Sequence, residues 1–235
     1  MHRARTLVPS IQDRSVAFWN SIAPLSFDDL PQPAVVAQLQ GTVIGSVGSF
    51  RDKKGLEYLF DACQSLRTMT DLTLLLVGDF ADKERSYWEQ ALQQSGFADR
   101  VVITGKISRQ EALAYLPHMD IFAIPSLHDG CPNAMIEAML AAKAIVGTSV
   151  DAIGEILEDG INGLVVQPGD TVALTNALRR LITQPGLRQQ LGMAARQKAL
   201  NQLAPDVERQ NWQRVYEQVL ETRKPIVGEK LGVVW

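Results

Sequence analysis

The chain has 235 residues, 46% of them hydrophobic and 21% charged, with a formal net charge of −3. That length supports one sizeable core, or one domain with appendages, and the charge balance gives no reason to expect nucleic acid. No apolar run approaches the ~18 residues of a membrane span, and the basic start MHRARTLVPS has no apolar segment behind it to make a signal peptide. Cys63 and Cys131 lack any framework spacing and read as small packing residues with reduced thiols. Arg3, Arg5 and Arg14 read as a solvated tail, and Phe18, Trp19, Ile22, Leu25 and Phe27 either pack on the domain or offer an exposed contact.

From there strands and helices alternate. Residues 42–47 read as a buried strand, and 55–66 as a helix with Leu56, Leu59, Phe60, Cys63 and Leu66 on one face. The unbroken apolar run 72–77 is the mark of a strand covered on both sides. A polar helix over 83–94, a strand over 101–104, a short helix over 109–116 and a strand over 121–124 follow. A helix over 134–142, a strand over 144–148, Asp-Gly and Asn-Gly turns and a strand over 164–166 complete the alternation. Beyond Asp170 only helices are expected, over 171–183, 187–201 and 207–222. The pattern predicts an α/β fold with a doubly wound, parallel, Rossmann-like sheet of about six strands and helices at its C-terminal end. Ligands of such sheets bind beyond the carboxyl ends of the strands. Lys54, Gly105, Asp129 and the helix opened by Pro132 all follow strand ends, so they can converge there.

The run IPSLHDGCPNAMIE, residues 124–137, carries the most chemistry. Asp129 and Glu137 flank a Gly-x-Pro-Asn turn that opens an apolar helix. The first N–H groups of a helix have no partner within it and suit an anion. Pro132 fits the first helical position, Gly130 allows close backbone approach, and Asn133 and Glu137 share a face. A carboxylate one turn into a buried helix needs partners. Sugar or ribose hydroxyls would supply them. Equally, Asp129 serves as a turn residue and Glu137 pairs with a structural Arg or with backbone donors.

PSLHDGCPNAMIEAMLAAKAIVGT resembles the donor-site segment of the GT-B glycosyltransferases of the large retaining group, family 4, whose pattern is P-S-x-x-E-G-x-P-x-x-x-x-E-A-M-A. Asp129 falls on the first Glu, one methylene short, and Glu137 on the second. GSFRDKKGLEYLFDA, LTLLLVGDF, VVITGKISRQEALAYLPHMDIFAIPS and GEILEDGINGLVVQPGD resemble further family segments in the family's order. The resemblance covers roughly residues 41–200 as the nucleotide-sugar-binding domain, with 1–40 as an interdomain-type segment or tail and 201–235 as a terminal helix and tail.

The resemblance implies hexosyl transfer from a nucleotide sugar, UDP-, GDP- or ADP-linked, with retention of configuration. The product would be a glycan, polysaccharide or glycolipid. It assigns Lys54 and Asp129 to catalysis, and Gly48, Arg51, Gly130, Pro132, Asn133 and Glu137 to donor binding. Glu137 would hold the ribose hydroxyls and Asp129 would contact the sugar. The family's phosphate-binding Arg is Ser49 here, with Arg51 two residues on as a substitute, while Lys53 stands as a solvated neighbour of Lys54. No metal and no cofactor beyond the sugar nucleotide is expected. His2, His118 and His128 have no ligand spacing, no Asp-x-Asp stands out, and neither a P-loop nor a full G-x-G-x-x-G is present. The resemblance covers the donor half of a GT-B enzyme only. It therefore implies an acceptor-side partner domain and a glycan or lipid-linked acceptor, with a cytoplasmic location compatible with the inner face of the membrane. The alternative is a catalytically inactive binding or scaffolding module of the same fold.

Overall fold

The apolar run at Leu72 becomes the second strand of a six-stranded, all-parallel sheet, covered on both faces as its composition demands. The computed structural model describes Val16 and residues 18–221. Arg3, Arg5, Arg14, His2 and residues 222–235 lie outside the described residues.

The strands are β1 (Thr42–Phe50), β2 (Leu72–Phe80), β3 (Val101–Ile103), β4 (Ile121–Ile124), β5 (Ala144–Thr148) and β6 (Leu164–Val166). The helices are α1 (Leu56–Leu66), α2 (Arg85–Gln94), α3 (Arg109–Leu113), α4 (Asn133–Leu140), α5 (Asp151–Ile156), α6 (Thr171–Thr183), α7 (Pro185–Gln202) and α8 (Pro205–Glu221). The sheet order is β3-β2-β1-β4-β5-β6, the doubly wound order expected from the alternation. β1 and β2 pair in register from Thr42↔Leu72 to Phe50↔Phe80, and β1 meets β4 at Ile44↔Ile121 and Gly45↔Phe122.

Successive side chains on a strand point to opposite faces. Leu74 and Leu76 therefore join Phe60, Trp88 and Leu178 in one core layer, while Leu75 and Val77 join Phe122, Ile136 and Ala195 in the other. Each such side chain, fully buried, contributes roughly 1.5–3 kcal/mol by removal from water. The segment before β1 packs on the second layer. Ile22 is buried there, Trp19, Leu25 and Phe27 lie against it, and the Ile22 N–H donates to the Leu203 carbonyl at 3.0 Å.

Helix α8 differs. Trp212, Tyr216 and Leu220 are exposed on it, so its bulky apolar residues do not pack onto the sheet. Among the described residues no helix is long and apolar enough to cross a membrane.

Candidate functional site

The strand order reverses between β1 and β4, and the crevice beyond their carboxyl ends is where sheets of this kind take ligands. Lys54 ends the short turn Asp52–Lys54 that follows β1. The turn closes on Gly55, left-handed at φ 61°. A Cβ on Gly55 would lie 2.3 Å from the Pro125 carbonyl oxygen, so only glycine lets this turn sit against the loop after β4. Backbone hydrogen bonds lock the two loops: the Leu127 N–H donates to the Lys53 carbonyl at 2.8 Å.

That clamp brings Lys54 Nζ to 2.5 Å from Asp129 Oδ2, with side chains only 19% and 12% exposed. Ser126, fully buried, donates from Oγ to the same Asp129 oxygen at 3.4 Å and accepts at its carbonyl from Thr148 Oγ1 at 2.6 Å. The Asp129 N–H donates to Asp151 Oδ2 at 3.0 Å, and the Ala152 N–H to the Gly130 carbonyl at 3.1 Å. Asp151 reaches this position with φ 43°, a left-handed conformation that Asp tolerates better than most residues.

Pro132 stands one position earlier than the sequence suggests. Its ψ of 114° is extended, so it caps α4 instead of opening it, and its carbonyl accepts from the Met135 N–H at 3.0 Å. Asn133 is the first helical residue and is exposed. Its Oδ1 accepts from Asn20 Nδ2 at 2.9 Å, and the same amide donates to the Cys131 carbonyl at 2.9 Å. Glu137, one turn on, is buried, and its Oε1 accepts from Arg109 Nε at 2.6 Å. The pairing of Glu137 with an arginine is thus realised.

A cavity of about 390 Å³ opens beside these loops, lined by Gly48 and Ser49 near the end of β1, Arg51 just after it, Asp79 near the end of β2, and Lys106 and Arg109 after β3. Asp79 is bound by Arg85 at 2.7 Å, and that hydrogen bond holds its carboxyl below the usual carboxylate range. The expected residues therefore fall into two groups. Gly48 and Arg51 line the cavity, whereas Lys54, Asp129, Gly130, Pro132, Asn133 and Glu137 form the neighbouring loop and helix start and do not line it. Arg109 belongs to both, touching Glu137 and walling the cavity. Gly105 lines a different hollow, next to Thr104 and Arg85. His128 is exposed and joins the clamp through its backbone N–H, 3.4 Å from the Lys53 carbonyl. Among the described residues no cluster of three or more His, Cys, Asp or Glu could hold a metal ion.

Sequence reasoning passed over Arg109, Lys106, Asp79 and Asp151. One signal was available for Arg109: Ser108-x-x-Glu111 is a capping box that starts α3 right after a strand end. Asp151 had none, because 22 positions separate it from the backbone it holds.

The family model described as glycosyl transferases group 1 matches residues 41–184. The 2-deoxystreptamine glucosyltransferase of Streptomyces kanamyceticus is 29% identical over 164 residues, which make up 69% of this chain and 42% of that protein. Sucrose-phosphate synthase of Thermosynechococcus elongatus superposes with a TM-score of 0.75 at 22% identity, covering 94% of this chain and 57% of its own. Anabaena HepE, solved in complex with UDP-glucose, gives 0.67 at 24% identity and covers 79% and 50%. The two structures speak for the fold, and the chain spans about half the length of these relatives. With the family pattern running through more than half of the sequence and the sheet order in agreement, the chain belongs to the glycosyl transferases group 1 family.

Proposed function

We propose that this chain binds a nucleotide sugar and supplies the donor side of a retaining hexosyl transfer to a glycan or lipid-linked acceptor. The acceptor would be held by a second, N-terminal-type domain. The observation that carries this reading is the Lys54–Asp129 pair, fixed at the switch point between β1 and β4 and next to the start of α4. Lys54 is a compact point charge suited to the negative charge that gathers on a departing nucleoside diphosphate. Its partner Asp129 would accept from sugar hydroxyls once phosphate takes over the ammonium. The unpaired N–H groups at the start of α4, beside Gly130, add a field favourable to anions. Gly48 and Arg51 wall the cavity that would receive the nucleotide, and Glu137, bonded to Arg109 of that wall, would accept from the ribose hydroxyls. Holding donor and acceptor together supplies much of the rate enhancement in such a transfer.

Calorimetry with UDP-, GDP- and ADP-sugars and their nucleosides tests this. HepE's UDP-glucose complex makes UDP-glucose the first ligand to try. Lys54→Ala is expected to weaken nucleoside diphosphate binding by about tenfold or more, through loss of a charge-assisted contact, and to leave nucleoside binding unchanged. Lys53→Ala, at an exposed neighbour, is expected to stay within about twofold. Equal losses for both ligands, or a larger effect at Lys53, would sink the phosphate role.

A further inference from the structure

Glu137 is the only charged residue of α4, and its side chain is only 7% exposed. A buried carboxylate without a cationic or hydrogen-bonding partner takes up a proton or leaves its position. Arg109 provides the partner: its Nε donates to Oε1 at 2.6 Å. The other oxygen, Oε2, is not among the described side-chain oxygens that are both buried and unpartnered. The buried, unpartnered side-chain oxygens among the described residues are Glu57 Oε2 and Gln64 Oε1.

Arg109 is itself held at its base. It is the first residue of α3, and the reciprocal Ser108–Glu111 cap fixes that start, with the Ser108 N–H donating to Glu111 Oε2 at 2.8 Å and the Glu111 N–H to Ser108 Oγ at 3.2 Å. From this base the side chain, 61% exposed, runs along the wall of the 390 Å³ cavity to Glu137. An exposed ion pair contributes little to stability. This pair is uneven, with a solvated cation on a buried anion. Such a contact serves the anion's direction more than the fold.

We infer that Arg109 is a positioning residue for ribose recognition. It fixes Glu137 Oε1 and leaves Oε2 to accept from the ribose hydroxyls of the donor nucleotide. The inference rests on the reading of Glu137 as the ribose ligand. It makes Arg109 a determinant of the preference for ribonucleotides over deoxyribonucleotides.

The test measures affinity of the full chain for UDP, GDP and ADP, each beside its 2′-deoxy counterpart. For the nucleotide it accepts, the wild type is expected to favour the ribo form by about tenfold, the worth of a hydrogen bond to a charged acceptor. Arg109→Ala is expected to bring that ratio to about two by lowering ribo affinity, with deoxy affinity nearly unchanged. Arg109→Lys, which keeps the charge but not the planar fork, should fall between them. It also carries the test if thermal melting shows the alanine variant unfolded. Glu137→Gln separates the two levels. If it and Arg109→Ala both lose the preference, the inference stands. If only Glu137→Gln loses it, the ribose reading holds and the role of Arg109 is refuted. Absence of preference in the wild type refutes both. Equal losses of ribo and deoxy affinity in Arg109→Ala overturn the positioning role in favour of a direct phosphate contact.

Discussion

Glu57, in the first turn of α1, has Oε2 buried and without a partner. Burial pushes its pKa above 4.5, and the neighbouring Asp52 and Asp61 push it the same way. A carboxyl whose folded pKa is raised contributes stability below its unfolded value, and that contribution is lost as pH rises through the folded value. At neutral pH the ionised group is therefore a net cost. Glu57→Gln is expected to raise the melting temperature at pH 7, with the gain shrinking as pH falls toward about 4.5. Parallel melts of the two proteins across that range check it, and a pH-independent difference would refute it. The site residues sort by the same local logic. Lys54, Asp129 and Glu137 were singled out because they fall on short motifs of the family resemblance, and the structure brings Lys54 to Asp129. Arg109 was not, since it meets Glu137 across 28 positions of sequence and only the sheet brings them together. Whether Glu137 faces a ligand or a structural arginine was open in the sequence, and the structure shows the arginine.

β1 and β2 each run three residues beyond the apolar stretch that announces them, to Phe50 and Phe80. The extensions contain Gly48 and Gly78, which lie opposite each other in register. Gly and polar residues end the hydrophobic signal, yet the backbone ladder continues, so the strands looked shorter than they are. Gly78 has φ 131°, and a Cβ there would fall 1.9 Å from the Gly48 carbonyl oxygen, while one on Gly48 meets nothing within 4 Å. Gly78→Ala is expected to cost about 2 kcal/mol or more, from strain and the forced separation of the strands. Gly48→Ala should cost clearly less. Urea denaturation of both variants checks the order, and equal costs would contradict it. β4, β5, β6 and α6 match their expected bounds, being bracketed by clear turn chemistry or uniform apolar runs. The expected helix over 109–116 is shorter, α3 giving way to a separate turn, Leu116–His118, with Pro117 as its second residue. α5 was not anticipated, because six residues starting from a left-handed Asp151 give too little periodicity to read.

At the scale of the whole molecule, the two core layers hold the sheet rigid while the site's polar groups sit on loops at one end of it. The apolar residues ahead of β1 and on α8 differ in exposure. Trp212 is 45% exposed and meets Phe18 edge-on at 4.9 Å, whereas Trp19 packs on the second layer. That difference gives the chain a built-in optical probe. Trp19 Nε1 donates to Glu155 on α5, the helix whose first residue holds the Asp129 N–H, and the next residue, Asn20, grips the loop at Cys131 and Asn133. A ligand that shifts the loop alters the indole's surroundings from both sides, so tryptophan emission should change on titration with UDP-glucose. Trp19→Phe should remove that change and leave the calorimetric affinity intact. A change that persists in Trp19→Phe would refute Trp19 as its source. Donor occupancy can then be followed by light alone, with no label and no acceptor.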